Sequence, residues 1–432
     1  MSEQAADQPT RPIFALQDKP LPTDPYAVSL DEINMCDGRY FQQNRQFEFF
    51  KRLREEDPVH LNDHEFTGRY WSITKFEDIM YVDKHHELFS SAHGIGIGPR
   101  IDAAPNPEEL DLTMFIAMDP PKHQLQRATV TGVVAPANLA KLEPIIRERA
   151  GRILDELPLD ETFDWVDRVS IELTTQMLAT LFDFPFEQRR KLTRWSDVAT
   201  AGPETGIVES EEARRGELLE CLAFFTNLWN ERAAKEPGND LISMLAHGEN
   251  TKDMQPFEFL GNLILLIVGG NDTTRNSISG GVIALNENPN EYKKLRDNPS
   301  LIPSMVSEII RWQTPLPYMR RTATEDVEIR GKKIKAGEQL LMWYISGNRD
   351  SDVIDRADDF IIDRAQPRHH LSFGFGIHRC MGNRLAEMQL RIVWEEIMER
   401  FEFVEVVGKP ERMLSSFVRG ITKLPVQVHA KK

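Results

Sequence analysis

A single cysteine near the carboxyl end of the chain has the sequence context of a metal ligand. Cys380 lies in the glycine-rich stretch 373–382, directly before the amphipathic segment 385–401, which we predict to be a helix. A helix N-terminus lowers the pKa of a thiol, and the thiolate is the form that binds metals. The alternative is a buried cysteine in a tight turn. Because none of the three cysteines forms a CxxC pair, we do not expect a zinc or iron–sulfur site.

The apolar segment 257–286, predicted to be one long helix, carries a second unusual pattern. Its centre holds Gly269, Gly270, Asp272 and Thr273. Glycine costs about 1 kcal/mol relative to alanine inside a helix, so two adjacent glycines indicate either close helix packing or space for a ligand. Thr273 can donate to the carbonyl four residues earlier and open a notch in the helix. Asp272 beside it has the chemistry to pass protons into that notch.

The predicted helix 302–313 carries Glu308 and Arg311, which lie three residues apart and therefore share a face. A surface ion pair is one interpretation, but the neighbouring residues are apolar and favour burial. A buried pair needs further hydrogen-bond partners, and Arg364 is a candidate for this third position. We interpret this group as structural.

Four basic side chains, His123, Arg127, Arg321 and His378, have no partner nearby in the sequence. Each by itself is typical of a solvated surface residue. Together they have the chemistry to bind an anionic group such as a carboxylate, for which arginine is the bidentate partner.

The composition bounds the class of protein. The 432 residues are 41% hydrophobic, which allows a sizeable core, and carry a formal net charge of −16, which argues against nucleic acid as the main partner. Three sparse cysteines suit a reducing cytosol. Residues 1–24 are polar and lack a signal-peptide core, so we predict a flexible leader followed by a single domain, 25–432. Because the longest apolar run, 260–268, is shorter than a span of ~20 residues, we predict a cytoplasmic protein.

Helical periodicity dominates the chain, so the sequence predicts one large, mainly α-helical domain with small peripheral β-sheets. The predicted helices are 40–56, 75–90, 138–154, 171–182, 186–199, 210–234, 257–286, 302–313 and 385–401, with a further helix that starts at 119–123. The predicted strands are 59–61, 70–74, 321–323, 327–330, 333–334 and 339–343, with short strands in 403–428. The long loop 93–112 is typical of a binding loop.

Three patterns together resemble one family. Residues 373–382 have the pattern F-x-x-G-x-H-x-C-x-G, which resembles the haem-binding signature of the cytochromes P-450. Residues 269–273 resemble the oxygen-activation helix of that family, and residues 308–311 resemble its core ion pair. The patterns occur in the family's order, and the resemblance covers roughly residues 40–428.

The resemblance implies the cytochrome P-450 fold, with haem b between the oxygen-activation helix and the helix after the cysteine loop. Cys380 would be the axial thiolate of the haem iron, which favours O–O cleavage. Gly376 and Gly382 would let the backbone approach the ring and direct amides at the sulfur. Phe373 would shield the sulfur on its ring side.

The resemblance also assigns the remaining polar residues of the site. It places four side chains on the haem propionates, with Arg320 as the alternative to one of them: His123, Arg127, Arg321 and His378. Asp272 and Thr273, with water, would deliver protons to bound O₂. The implied activity is insertion of one O₂ oxygen into an unactivated C–H bond.

The resemblance implies separate electron-transfer partners, because the sequence contains no flavin or iron–sulfur motif. Electrons would come from NAD(P)H through a ferredoxin reductase and a ferredoxin. A basic patch for the acidic ferredoxin would consist of Lys122, Arg379, Arg384 and Arg391, and a merely solvated face is the alternative.

Residues 115–121, 133–139 and 270–281 resemble the soluble bacterial hydroxylases that oxidise terminal methyl groups. We therefore predict terminal hydroxylation of medium-chain n-alkanes or fatty acids. The alternatives are a terpene, steroid or aromatic monooxygenase, a peroxide-driven haem enzyme, and a non-catalytic haem-thiolate sensor.

A terminal C–H bond is stronger than an internal one, so this selectivity needs a narrow channel that presents only the chain end. Arg100 or Arg419 is a candidate to bind a fatty-acid carboxylate, and a solvated surface arginine is the alternative for each. The loop 93–118 is one candidate wall of the channel. Six single residues are candidate substrate contacts: Met118, Leu265, Val268, Gly269, Leu316 and Phe417.

Overall fold

The computed structural model describes residues 20–64, 67–98, 110–202 and 205–431. Its α-helices are α1 Arg39–Gln42, α2 Gln46–Glu56, α3 Phe76–Lys84, α4 Lys122–Thr131, α5 Pro136–Asp155, α6 Glu172–Phe182, α7 Arg190–Thr200, α8 Glu211–Ala233, α9 Leu241–His247, α10 Pro256–Glu287, α11 Pro289–Asp297, α12 Ile302–Gln313, α13 Tyr344–Gly347 and α14 Asn383–Arg400. A π-helical turn, Val166–Ile171, leads into α6.

The strands are short and form small sheets. They are β1 Val59–His64, β2 Gly68–Ile73, β3 Phe89–Ser90, β4 Phe163–Asp164, β5 Met319–Ala323, β6 Val327–Ile329, β7 Lys332–Ile334, β8 Gln339–Met342, β9 Phe401–Val406, β10 Glu411–Arg412, β11 Ile421–Lys423 and β12 Pro425–Ala430. The largest sheet has the order β1-β2-β8-β5-β3, in which only β2 and β8 run parallel. The predicted mainly helical class with small sheets is confirmed.

Helix α10 runs through the main hydrophobic core and packs against α6, α7, α12 and α14. Close packing is visible where it meets α12. A Cβ atom at Gly281 would lie 2.8 Å from the side chain of Ile309, and one at Gly280 would lie 2.5 Å from Gln313. The absence of side chains at these positions therefore sets the distance between the two helices.

Most element boundaries agree with the sequence prediction, and the differences have local causes. The predicted helix 40–56 divides into α1 and α2 because Asn44 adopts a left-handed conformation, with a φ of 55°. The predicted helix 75–90 ends at Lys84, and its last residues form β3. The short helix α9 and the polar, proline-initiated α11 were missed because neither has an extended apolar stripe.

The predicted leader 1–24 is wrong for its last residues. Leu21 packs against a hydrophobic cluster, and the carbonyl of Pro22 accepts a hydrogen bond from Arg45. Asp24 caps a short 3-10 helix by accepting from the amide of Tyr26. Residues 1–19 lie outside the described residues. Within the described part of the chain, no helix combines the length and apolarity needed to cross a membrane.

The predicted partners of Glu308 meet around it. Arg311 donates from Nε and Nη2 to the two carboxylate oxygens of Glu308, each at 2.7 Å. Arg364 donates from Nε to Oε2 at 3.0 Å. Arg311 also donates to the carbonyls of Asn348 and Ala357. The group thus holds α12 against the irregular segment 348–364. Glu308 and Arg311 are 0% and 1% exposed, so each would be a costly unpaired buried charge without the other.

Replacement of Glu308 should destabilise the fold strongly. In Glu308→Ala, two buried guanidinium groups lose their carboxylate, and loss of one partner of a buried pair costs about 3–5 kcal/mol. Urea unfolding would measure the change. Glu148→Ala is the matched control, because Glu148 pairs with Arg152 one helical turn away but both side chains are exposed. The control should change the unfolding free energy by at most about 0.5 kcal/mol. Equal effects of the two substitutions would contradict the structural role.

Candidate active site

The cysteine loop has a fixed backbone path. Gly374 and Gly376 both have a φ of 65°, a conformation that side chains other than glycine rarely adopt. The amide of Cys380 donates to the carbonyl of Phe373 at 2.8 Å, which closes the loop. The ring of Phe373 is partly buried against the main core. Gly382 then caps the N-terminus of α14.

The thiol of Cys380 opens onto a recess, since it is exposed and yet closely surrounded by protein. Burial raises the pKa of this thiol above its ordinary value. The amides of Gly382 and Asn383, together with Arg127 and Arg379, act in the opposite direction. The predicted lowering of the Cys380 pKa is therefore wrong in its net direction. The helix N-terminus acts as expected, but burial outweighs it, and binding of a metal cation would supply the missing driving force for deprotonation.

Asp83 holds the loop in place, and the sequence analysis missed this residue. Its Oδ2 accepts from the amide of Phe375 at 2.7 Å and from the hydroxyl of Tyr344 at 2.9 Å. A Cβ atom at Gly376 would lie 2.2 Å from the Asp83 carbonyl oxygen. Gly376 is thus required by the contact with α3. Gly382 has an ordinary φ of −87°, and a Cβ atom there would lie 4.0 Å from the sulfur of Cys380.

A sequence signal for Asp83 was present. Phe76, Ile79 and Asp83 follow the i, i+3, i+7 spacing of one helix face, and all three are buried in α3. An acid on the apolar stripe of a short helix indicates a buried charge that needs a partner. The partner lies far along the chain, which is why the spacing alone did not identify it.

The four predicted anion-binding residues come together beside this loop. The rings of His123 and His378 lie 4.1 Å apart. The pKa of His123 is lowered to about 4 and that of His378 to about 2, chiefly by burial and in addition by the nearby Arg127 and Arg321. Both ring nitrogens of His123 and Nδ1 of His378 are buried and have no hydrogen-bond partner among the described residues. The cluster therefore has donors and positive charge in excess.

Arg321 has a carboxylate partner of its own, which the sequence did not reveal. Its Nη2 lies 2.7 Å from Oδ1 of Asp83, and both side chains are buried. The alternative residue, Arg320, donates instead to the carbonyl of Gly94 at 3.2 Å and to Gln339 at 2.9 Å. Arg321, and not Arg320, thus belongs to the cluster with the histidines.

These residues fit a haem group. The unpartnered buried imidazole nitrogens and the neighbouring arginines suit anionic propionates. The accessible Cys380 sulfur at the start of α14 suits a soft metal ligand. Arg127 connects the basic cluster to the cysteine loop, because its Nη2 donates to the carbonyl of Arg379 at 2.5 Å.

The paired glycines of α10 have different functions, so both interpretations of the pair hold. A Cβ atom at Gly270 would lie 2.8 Å from the Leu178 side chain of α6, whereas one at Gly269 would have no neighbour within 4 Å. Gly270 serves close packing, and Gly269 leaves open space. Thr273 lies on the open side and donates from Oγ1 to the carbonyl of Gly269 at 2.8 Å, as its position in the helix predicted.

Asp272 points away from this open face and toward α7. Its Oδ1 accepts from Ser196 of α7 at 3.0 Å and from Asn271 at 3.1 Å. The carboxylate is fully buried, and burial raises its pKa to about 6. The acid therefore exchanges a proton much closer to neutral pH than an exposed aspartate does.

The predicted substrate residues fall into separate groups. Met118 is buried in the main core, and Leu265 and Val268 lie at its partly buried margin. Phe417 belongs to another cluster, where its ring lies edge-on to Tyr318 at 5.5 Å. Leu316 is partly buried and belongs to neither cluster.

Arg419 is not available to a substrate carboxylate, so this prediction is wrong. Its guanidinium is buried and donates to the carbonyl of Gln313 at 2.7 Å and to Asn44 at 2.8 Å. It thereby satisfies the C-terminus of α12. Arg100, the other candidate, lies outside the described residues.

Half of the predicted basic patch is neutralised. Lys122 lies 2.7 Å from Glu258, and Arg391 pairs with Glu143 and Glu395. Arg379 and Arg384 are exposed and form no ion pair with the residues that the structure describes. The free positive charge is therefore concentrated at the start of α14.

Comparison with known proteins agrees with the fold and the site. Residues 207–429 match the family model described as cytochrome P-450. The linalool 8-monooxygenase of Pseudomonas putida is 36% identical over 396 residues, which are 89% of this chain and 96% of that protein. The methyl-branched lipid omega-hydroxylase of Mycobacterium tuberculosis is 32% identical over 390 residues, which are 87% of this chain and 90% of that protein.

Among solved structures, cytochrome P-450-153 of Novosphingobium aromaticivorans is similar, with 47% identity and a TM-score of 0.85. The alignment covers 91% of this chain and 98% of that one. The fold and these matches define a monooxygenase of the haem-dependent, mainly helical type. The chain belongs to the cytochrome P-450 family, which implies haem, O₂ and electrons from a redox partner.

Gly376→Ala should destabilise the cysteine loop more than the same substitution destabilises the chain at another glycine with a positive φ. Alanine at a positive φ costs about 1–2 kcal/mol, and here its Cβ would also collide with the Asp83 carbonyl. Gly331→Ala is the matched control, because Gly331 has a φ of 76° but open space around it. Urea unfolding and the red-shifted Soret band of the reduced carbonyl complex would measure the outcome. We expect loss of that band in Gly376→Ala only. If both variants kept or both lost the band, the proposed effect of the close contact between Gly376 and Asp83 would be contradicted.

Proposed function

We propose that the protein hydroxylates the terminal carbon of medium-chain n-alkanes or fatty acids, with haem b held by Cys380. When bound, haem supplies the activation of O₂ and the transfer of one oxygen atom to a C–H bond. In this proposal His123, Arg127, Arg321 and His378 hold the propionates. The cluster of unpartnered imidazole nitrogens and neighbouring guanidinium groups supports this assignment.

The observation that carries the substrate proposal is the open side of α10. Gly269 leaves space there, and Leu265 and Val268 offer apolar contacts at its edge. Such a surface excludes water and orients an apolar chain without polar contacts. Since Arg419 is bonded internally, the described residues favour a neutral chain end over a carboxylate anchor at that position.

Proton delivery falls to Thr273 and Asp272. Thr273 lies at the open side of the helix, where its hydroxyl donates to the carbonyl of Gly269. Asp272, the residue before Thr273, is turned toward α7, and its pKa is raised to about 6. This acid–alcohol pair supports a reaction with O₂ over a peroxide-driven one, and a sensor has no need of it.

Electrons in this proposal come from NAD(P)H through a ferredoxin reductase and a ferredoxin in the cytoplasm. Arg379 and Arg384, next to the cysteine loop, are exposed and have no ion-pair partner among the described residues. An acidic ferredoxin would be attracted to them, and complementary charge raises the association rate. Lys122 and Arg391 contribute less, because nearby glutamates neutralise them.

A terpene is the second candidate substrate. The observation that favours it is the 36% identity to a linalool 8-monooxygenase, whose name records a terpene substrate. The name of the omega-hydroxylase relative, by contrast, records oxidation at a chain end. Both relatives therefore support an apolar substrate, and they differ in its shape.

A binding and turnover comparison tests the substrate proposal. Purified haem-loaded protein would be titrated with n-octane, decanoate, linalool and a steroid, and the spin-state change of the haem would report binding. We expect n-octane to give the largest change and, with ferredoxin, reductase and NADH, the terminal alcohol as the main product. Formation of internal alcohols only, or tighter binding and faster turnover of linalool, would overturn it.

Thr273→Ala should keep the haem and the substrate but lose efficiency of oxygen transfer. Without the hydroxyl, proton delivery becomes unselective, and more of the NADH consumed should appear as hydrogen peroxide. General-acid groups typically contribute about 10²–10⁴-fold to rate, so the loss of product per NADH should be large. Thr273→Ser retains the hydroxyl and should retain most of the yield. An unchanged yield in Thr273→Ala would remove Thr273 from proton delivery.

A further inference from the structure

The two oxygens of the Asp272 carboxylate have different surroundings. Oδ1 accepts hydrogen bonds from Ser196 and Asn271, at 3.0 and 3.1 Å, and forms an ion pair with Nη2 of Arg275 at 2.9 Å. Oδ2 is buried and has no partner among the described residues. An oxygen that faces two hydrogen-bond donors and a cation is poorly basic, and one that receives no donor is the better proton acceptor. When Asp272 takes up a proton, the proton therefore binds to Oδ2.

Arg275 joins Asp272 to a second acid. Its Nη2 lies 2.5 Å from Oδ1 of Asp197, which is on α7, and 2.9 Å from Oδ1 of Asp272. The exposed fraction falls along this series, from 27% for Asp197 to 7% for Arg275 and 0% for Asp272. The three charges thus form a row from near the surface of α7 to the interior of α10.

The two neighbours act on Asp272 with opposite signs. Burial raises the pKa of Asp272, Arg275 lowers it, and Asp197 raises it again. The hydroxyl groups of Ser196 and Thr200 also lower it. One more charge, Arg194, adjoins Asp197, but it pairs with Glu217 of α8. The pKa of Asp272 therefore depends on the opposing effects of the Arg275 cation and the Asp197 anion.

We propose that Arg275 and Asp197 are positioning residues for proton delivery. Together they hold Asp272 through Oδ1, leave Oδ2 free to release and regain a proton, and set the pH range in which it does so. Asp197 has the stronger link to solvent, because it is the most exposed of the three. This inference rests on the proposed function of Asp272 in oxygen activation.

Two single substitutions should move the pH dependence in opposite directions. The measured quantity is product formed per NADH consumed, with n-octane, ferredoxin and reductase, between pH 5 and 8, because this ratio removes changes in the electron-transfer rate. Asp197→Asn removes a negative charge, so its midpoint should move to lower pH. Arg275→Gln removes a positive charge, so its midpoint should move to higher pH. A charge within about 4–6 Å shifts the pKa of a carboxyl group by about one unit or more.

The control is Asp167→Asn, which removes the same charge from a residue that also pairs with an arginine of α7, Arg190, but does not contact Asp272. It should leave the midpoint unchanged. Asp197→Asn is expected to fold, because Asp197 is partly exposed; the unfolding midpoint of each variant checks this. If Arg275→Gln does not accumulate, the Asp197→Asn shift alone decides the matter.

The outcomes separate this inference from the proposed function. If Asp272→Asn loses product yield but Asp197→Asn keeps the wild-type midpoint, or shifts it to higher pH, the positioning inference fails and the function of Asp272 stands. If Asp272→Asn keeps the wild-type yield and pH profile, the proposed function of Asp272 fails as well. A shift in Asp197→Asn to lower pH with an unmoved control supports the inference.

Discussion

The carboxylate of Asp83 connects the parts of the molecule that surround the cysteine loop. It accepts hydrogen bonds from the amide of Phe375 in the cysteine loop, from Tyr344 and from Arg321. These three groups come from three distant parts of the chain, and the acid itself is on α3. Because an unpaired charge in this buried position would be costly, the four segments are held in one arrangement. The orientation of the loop that carries Cys380 depends on this arrangement.

Helix α10 packs tightly on one side and is open on the other. Gly270 allows the approach of Leu178, and Gly269, one residue earlier, leaves the opposite side free. The polar groups of the same turns are divided in a similar way. Thr273 remains on the open side with its hydroxyl bonded to the helix, and Asp272 is turned toward α7. The helix thus has an open side at Gly269 and a buried acid on the side that faces α7.

Charge is distributed very unevenly for a chain with a net charge of −16. Cations collect around the cysteine loop, where the imidazoles of His123 and His378 are kept neutral by burial and by neighbouring arginines. Free arginines also remain at the start of α14. An anionic cofactor and an acidic electron donor would both be attracted to this region, so the overall acidity of the protein does not oppose its chemistry.

The sequence by itself determined the helical class, the bounds of α12, the back-bonded Thr273 and the residues that meet around Glu308, because these depend on local periodicity and on short spacings. It also grouped the four basic residues of the site correctly. Only the tertiary structure decided that Arg321 pairs with Asp83, that Arg419 is internal and that Asp272 is held by Arg275 and Ser196. It also reversed the direction of the Cys380 pKa shift. The physical reason is that partner choice and desolvation depend on residues far apart in the chain, which no local spacing records.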